Sequence, residues 1–430
     1  MKRIMKGKGK MKEKLALEYL EVFNGGGIRL GLENITLLME RLGNPEDKLQ
    51  IIHIGGTNGK GSTSAFISNA LKENGYKVGC FNSPYLVTPR ENIRINNENI
   101  NEEDFLACVI KVTESAKVLK AEGHEPSYFE IMVGVAFTYF YEKQVDFVVL
   151  EVGLGGALDG TNVIKKSLIS VITKISIDHK DFLGDTLTSI ATQKAGIIKE
   201  NGLVVTGTQD IEVMTVLQKV CEQQNAKLIE ANCKAAKVVS ITQDGTCFEI
   251  AGESYHLGLI GAHQVYNCMI ALEVLNVLKE KGVQLGKTQI RRALNETKWE
   301  GRFEKIGEKP LFFIDGAHNV DGIMALRDTI TALEKRYTIG IVGILKDKEV
   351  DEMLEIIAPC FETLIVTTPH NPRAMNAETL ANKIKSYGKE VYETGNIHEA
   401  KEKALEIAAL HENSQIIGFG SLYMIGELRG

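Results

Sequence analysis

Ile51-Ile52-His53-Ile54-Gly55-Gly56-Thr57-Asn58-Gly59-Lys60-Gly61-Ser62-Thr63 is the stretch on which the reading of the fold turns. It opens with a run rich in β-branched isoleucine, passes through four glycines, and regains helical periodicity from Ser62. The run reads as a buried strand, and glycine lets the following backbone take positive φ. Strand, glycine-rich loop and helix in that order make a phosphate cradle. Backbone N–H groups and the helix N-terminus point at one spot, and the Lys60 ammonium reaches terminal phosphates. The expected ligand is a nucleoside triphosphate with Mg2+. Gly61 separates Lys60 from Ser62, whereas the strict phosphate-loop pattern has Ser or Thr directly after the lysine. A glycine-rich turn with a solvated lysine is the competing reading of this loop taken alone.

Outward from the loop, the helix is expected to run to Asn74-Gly75 and to be followed by a strand at 77–81, giving a parallel βαβ unit. Upstream, 15–23 and 32–42 have helical spacing, and Asn24-Gly25-Gly26-Gly27 stops the first of them. Residues 83–99 read as a long polar loop carrying Arg90, Glu91 and Arg94, a length typical of binding loops. Two helical segments follow from 101, the second rich in aromatic residues expected in the core. The run 146–152 is another buried strand, closed by Gly153-Leu154-Gly155-Gly156. Leu158 replaces the third glycine that a dinucleotide-binding loop needs, so that reading is rejected.

Strands are expected again at 170–177 and 203–206, with a hairpin at the sheet's side between 238 and 259 and helices from Gly261 and over 288–295. The pattern breaks between Lys298 and Pro310, which places a domain boundary there. Beyond it, strands at 311–314, 339–344, 363–367, 389–392 and 415–419 alternate with helices. The fold class is therefore α/β: an N-terminal P-loop ATPase-like domain (1–298) with a mostly parallel sheet, plus a smaller, doubly wound, Rossmann-like domain (299–430).

A chain of 430 residues exceeds one ordinary core, and 44% hydrophobic with 25% charged residues describes a soluble globular protein. No apolar run approaches membrane-spanning length. A net charge of -6 disfavours a polyanion, so neither nucleic acid nor membrane is expected as a partner. Basic residues cluster in 1–14, which lacks the hydrophobic segment of a secretory signal and reads as a flexible basic tail. Seven cysteines without a C-x-x-C pair read as reduced thiols of a cytoplasmic protein. A monomer acting on small molecules is the expectation.

Glu151, Asp178 and His179 lie at strand ends on the same edge as the phosphate loop, where open α/β sheets place ligands. One carboxylate plus triphosphate oxygens suffices for Mg2+, and a second cation could use His179. Each residue also has a plain structural reading, as a satisfied strand-end histidine or a turn aspartate. Asp315-Gly316-Ala317-His318-Asn319 occupies a strand-to-helix turn that could hold a ribose or phosphate, or merely cap a helix. Together the two polar ends predict a nucleotide held across a cleft whose closure expels water.

Taken together, several motifs resemble those of the folylpolyglutamate synthase and dihydrofolate synthase branch of the Mur ligase family. They are Gly56 to Ser62, Ser83-Pro84 with Arg90 to Asn96, Leu150 to Gly156, Asp178-His179 with Leu183 to Thr186, Gln193 to Lys199, Gly301-Arg302, Asp315 to Asn319 and Gly420 to Tyr423. The family's phosphate loop has the same Lys-Gly-Ser ending, which accounts for Gly61. The resemblance implies an ATP-dependent amide ligase that makes an acyl phosphate and lets an amine displace phosphate, with L-glutamate and a folate or dihydropteroate as substrates. It implies ATP contacts at Gly56, Thr57, Asn58, Gly59, Lys60, Gly61, Ser62, Thr63, Asn267, Arg302, Asp315 and His318. Two Mg2+ ions are implied, bound through Ser83, Glu151 and His179. Lys60, Lys194 and His179 are the implied catalytic residues, with Lys194 matching a lysine carbamylated in related ligases. Whether a monovalent cation takes part is left open.

Departures gather in the loop expected to hold the acceptor, marked by Pro84, Tyr85, Arg90 and Arg94. Tyr85, Pro89 and Asn92 stand where the family more often has histidine, an aromatic residue and arginine. They put the choice of acceptor in doubt and leave the ATP chemistry intact. Folate glutamylation is the favoured reading, with dihydropteroate as a joint or alternative acceptor. A cell-wall ligase is a weaker reading, because only about fifty residues precede the phosphate loop and such enzymes place a substrate domain there. A P-loop ATPase without ligase activity would leave the Asp315 motif without a task.

Overall fold

β1 (Ile51–Gly55) is buried along its whole length, which explains why its sequence is an apolar run instead of an alternating one. With β2 (Val78–Phe81), β3 (Ile93–Ile95), β4 (Glu98–Asn99), β5 (Phe147–Glu151), β6 (Ile169–Ile172), β7 (Leu203–Thr206) and β8 (Lys227–Glu230) it forms a sheet in the order β4-β3-β2-β5-β1-β6-β7-β8. β1 lies between β5 and β6 and is parallel to both. The parallel run continues through β2 on one side and through β7 and β8 on the other. β3 and β4 extend it antiparallel. The computed structural model describes residues 2–24 and 29–429.

The chain divides into two compact units, Met1–Asn232 with Met269–Ile290, and Cys233–Cys268 with Arg291–Gly430. In the first, the helices Lys60–Glu73 and Tyr128–Glu142 pack on the sheet. Phe137 and Phe140 of the latter are fully buried, as expected of core aromatics. In the second unit, β9 (Ala236–Thr242), β10 (Gly245–Ile250) and β11 (Glu253–Leu257) form an antiparallel sheet. β12 (Glu304–Glu308), β13 (Leu311–Asp315), β14 (Tyr337–Val342), β15 (Thr363–Val366), β16 (Glu390–Glu393) and β17 (Ser414–Phe419) form another, ordered β12-β13-β17-β14-β15-β16. Only β12 runs antiparallel in it. Its core stacks Phe361 on Phe419 with ring centroids 5.1 Å apart.

The structure corrects four expectations. Where a flexible tail was expected over 1–14, a helix runs over Lys2–Glu21 and buries Ala16 and Leu20. Lysine-rich sequence has adequate helix propensity, and the apolar residues after Lys14 supply the buried face. That helix ends at Glu21, and of the expected stop Asn24-Gly25-Gly26-Gly27 the three glycines lie outside the described residues. The loop 83–99 contains a 3-10 turn, Pro89–Asn92, and the two short strands β3 and β4. The hairpin expected beside the main sheet is a separate three-stranded sheet and groups with the second unit, so the division between units differs from a single cut at 298.

Candidate active site

The strand β1 delivers its chain into a turn that only glycine can take at the first position. Gly56 has φ 146, and a Cβ there would lie 1.9 Å from Thr173 Oγ1. Thr173 uses that hydroxyl on the loop, donating to Asn58 O at 2.7 Å. Thr57 N and Asn58 N donate to Lys174 O, and Thr57 Oγ1 donates to Ser176 O at 2.9 Å. The strand end after β6 thus moulds the loop. Gly59, at φ 85, caps the helix Lys60–Glu73, whose first-turn N–H groups are the donors an anion would use.

Lys60 Nζ folds back onto this loop, donating to Gly56 O and Thr57 O, both at 3.1 Å. Lys194 Nζ donates to the same Gly56 O at 2.8 Å. Two ammonium groups on one carbonyl repel each other, and Lys194 is buried. Burial first, then the Lys60 charge, lower the Lys194 pKa to about 7, while Asp178 and Asp159 oppose the shift. The amine is therefore available in its neutral, nucleophilic form near neutral pH.

Glu151 ends β5 and is buried, with Oε2 accepting from Asn82 Nδ2 at 2.7 Å. His179 adopts φ 52 ahead of the short helix Lys180–Leu183, and its Nε2 lies 3.9 Å from Asp178 Oδ2. Among the described residues no group of three or more His, Cys, Asp or Glu side chains gathers as a ready-made metal site. Thr63 Oγ1, in the first helical turn after the loop, is buried and has no hydrogen-bond partner among the described residues. The donors here are oxygen-rich and incomplete, which fits Mg2+ completed by phosphate oxygens and water.

The loop after β2 is held at several points. Tyr85 touches Tyr128, and Arg94 Nε donates to Glu91 O at 3.0 Å. Arg90 Nη1 donates to Ile100 O at 3.0 Å, and the same guanidinium pairs with Glu13 and Glu102.

In the second unit, Asp315 ends β13 with both oxygens engaged, Oδ2 by Phe303 N and Oδ1 by Ala317 N, each at 2.8 Å. Burial raises its pKa against the opposing pull of Arg302. His318 Nδ1 sits 2.7 Å from Gly316 O, so that nitrogen carries the proton and donates. Asn319 Oδ1 accepts from Gly322 N, capping the helix Val320–Ala332. Asn267 Nδ2 donates to Gln264 Oε1 at 3.1 Å within the helix Ala262–Glu280. A Cβ at Gly316 would lie 2.6 Å from Arg302 Nη1, so Arg302 reaches the Asp315 turn.

Sequence reasoning missed several supporting residues. Asn82 orients Glu151 and Thr173 shapes the loop around Gly56, while Asp178, which the sequence does single out, sits close enough to Lys194 to act on its charge. Asp159 is buried and accepts from Leu154 N at 2.8 Å, Thr161 N at 3.0 Å and Thr161 Oγ1 at 2.5 Å. Thr161 Oγ1 in turn lies 2.9 Å from His53 Nε2 on β1. The available signal was a polar residue within or directly after an apolar strand, as His53 in β1 and Asn82 after β2 are.

Fold and site define the class: a phosphate-loop enzyme with a paired-lysine centre and a second α/β unit bearing a polar strand end. Residues 54–275 match the Mur ligase middle domain, and 301–422 match the Mur ligase glutamate ligase domain. The dihydrofolate synthase/folylpolyglutamate synthase of Bacillus subtilis (strain 168) is 36% identical over 423 residues, 94% of this chain and 95% of that protein. A Mycobacterium tuberculosis folylpolyglutamate synthase complexed with ADP and AMPPCP superposes with a TM-score of 0.88 at 30% identity, covering 97% of this chain and 98% of that one. E. coli FolC in complex with DHPP and ADP gives 0.83 at 27% identity, covering 96% and 95%. The chain belongs to the Mur ligase family, in its folylpolyglutamate synthase/dihydrofolate synthase branch, and is an ADP-forming ligase.

Proposed function

We propose that this enzyme joins L-glutamate to the terminal carboxylate of tetrahydrofolate, using ATP to make an acyl phosphate and releasing ADP and phosphate. The observation that carries the reading is the pair Lys60 and Lys194 on one loop carbonyl, Gly56 O. A carboxylate resists attack by an amine until one oxygen is made a good leaving group. The carboxylate oxygen attacks the γ-phosphorus and ADP leaves. The glutamate nitrogen then attacks the acyl carbon, phosphate departs with the C–O bonding electrons, and the nitrogen loses a proton. The chain must align these groups, neutralise phosphoryl charge and keep water from the acyl phosphate.

In this reading the N–H groups of Gly59 to Ser62 hold the triphosphate, those of Thr57 and Asn58 being taken by Lys174 O, and Lys60 leaves Gly56 O to reach its terminal oxygens. Ser83, Glu151 and His179 would hold Mg2+, which supplies charge neutralisation at the phosphates when bound. Asn267, Arg302, Asp315 and His318 are the further nucleotide-binding residues of this reading. Asp315 acts by fixing Phe303 and Ala317, since its oxygens already accept from their N–H groups. Lys194 takes up CO2: its neutral nitrogen forms the N–C bond, a C=O electron pair moves to oxygen, and the ammonium proton is lost to solvent. The result replaces a cation beside Lys60 with an anion. A pKa near 7 supports this step.

Dihydropteroate is the second acceptor in this reading, because the Bacillus subtilis relative is named for both activities. Purified protein with ATP, Mg2+, L-glutamate and either acceptor should release ADP only when glutamate is present. Absence of glutamate-dependent ADP release with both acceptors would refute the assignment.

A further inference from the structure

Residues 84–88 lie between β2 and β3 outside any strand, so something besides sheet pairing must hold them. Glu91 fixes their shape. Its Oε2 accepts from Leu86 N at 2.9 Å and Val87 N at 3.3 Å, and its Oε1 from Thr88 N at 3.2 Å. Those bonds are local and close the loop on itself without anchoring it. The anchor comes from the N-terminal helix. Glu13 accepts a hydrogen bond from Thr88 Oγ1, and its Oε2 lies 3.4 Å from Arg90 Nε. Arg90 Nη2 lies 3.4 Å from Glu102 Oε1, and Nη1 donates to Ile100 O. The Glu13 and Arg90 side chains are only 20% and 17% exposed, so solvent and salt screen the pair less than an ordinary surface bridge.

Glu13 is itself firmly mounted. The helix Lys2–Glu21 packs on the helix Glu102–Ala121, burying Ala16 and Leu20, and Lys12 pairs with Glu103 at 3.1 Å. We propose that Glu13, Thr88 and Arg90 form a clasp through which the N-terminal helix sets the position of the acceptor loop. The proposal rests on reading 83–96 as the loop that meets the acceptor. Glu13 and Arg90 are then positioning residues. Two carboxylates flank the Arg90 guanidinium, and a folate carboxylate approaching it would meet their repulsion. Arg90 therefore serves the loop and not the acceptor directly. An unclasped loop would hold its binding-competent position only part of the time, and the apparent acceptor affinity falls by that fraction.

The test uses the full-length enzyme and the variants Glu13→Gln, Arg90→Gln and the double variant, with tetrahydrofolate or dihydropteroate as acceptor. Each single change should raise the acceptor KM about tenfold, as expected if the loop is competent about one time in ten. The values of kcat and of KM for ATP should stay within about twofold, and the double variant should be no worse than either single one. An unchanged acceptor KM in Glu13→Gln overturns the clasp. So does a double variant whose effect is the product of the singles, since Arg90 would then act independently of Glu13. A second measurement needs no turnover: trypsin should cut after Arg90 or Arg94 faster in Glu13→Gln than in the unaltered chain, read by mass spectrometry. Equal cleavage rates also overturn the proposal. If the unaltered enzyme turns over neither acceptor, the functional reading fails, while proteolysis still decides the clasp.

Discussion

Lys194 shows what a residue's surroundings add to its chemistry. Read from sequence it is an ordinary helix lysine, and only burial beside Lys60 brings its pKa from 10.5 to about 7. Below pH 7 the folded and unfolded chains both carry the proton, and the folded state bears the full cost of burying it. Between about 7 and 10.5 the unfolded chain binds the proton more strongly, so stability rises with pH across that window. In CO2-free buffer, the melting temperature should climb from pH 7 to 9 in the unaltered enzyme relative to Lys194→Met. Parallel curves would remove the perturbed lysine. Lys194→Ala should also lose about a hundredfold or more in kcat, as when an electrostatic group is removed from a reacting centre, and bicarbonate should not restore it. Undiminished turnover would rule out a carbamate there. His53 follows the opposite edge of the pH scale. Burial, then Lys199, lower its pKa from 6.5 to about 3, so the unfolded chain binds the extra proton in that interval and stability falls as pH drops through it.

At the scale of elements, the phosphate loop was the most legible part of the molecule, because strand, glycine turn and helix are each local decisions. What decides the loop's exact path is not local. Thr173 meets Gly56 from just past the end of β6, a sheet neighbour more than a hundred residues away in sequence. Gly56→Ala therefore combines a forbidden φ with a clash, and ADP affinity should fall at least about tenfold by calorimetry, the order expected when a phosphate cradle loses its backbone geometry. Full affinity would mean that the loop can reshape. The turn after β13 was legible as polar and illegible in its wiring. Asp315 sits where a ligand contact was expected, yet it spends its oxygens on Phe303 N and Ala317 N. Asp315→Asn keeps one acceptor oxygen for two donors and should destabilise the protein by about 1–3 kcal/mol, the cost of an unmet buried hydrogen bond. Urea unfolding would measure it, and an unchanged midpoint would show that the bonds are dispensable. β3, β4, β8 and β12 escaped the sequence because they are short or edge strands whose partners, not their own patterns, define them.

At the scale of the whole chain, alternation of strands and helices foretold two α/β sheets, and both are present. The division between units was harder to read, since long-range packing sets it. Break signals between Lys298 and Pro310 pointed to one cut, but β9 to β11 and their flanks pack with the second unit. Ile260 is a member of that unit's main apolar cluster, with Ile241 packed against it. Gly261 N donates to Thr246 Oγ1 at 2.9 Å, and Gly258 N to Leu294 O at 3.0 Å, tying the small sheet to the segments on either side. A fragment of residues 299–430 would leave the Ile260 side of that cluster uncovered, whereas 233–430 would keep it covered, although it also carries Met269–Ile290 away from the first unit. Burying one large aliphatic side chain is worth roughly 1.5–3 kcal/mol, and Ile260 is 5% exposed. The shorter fragment should therefore be less stable than the longer one by at least about 2 kcal/mol in urea unfolding. Equal stability of the two fragments would restore the single cut near residue 298 as the boundary of an independent C-terminal domain.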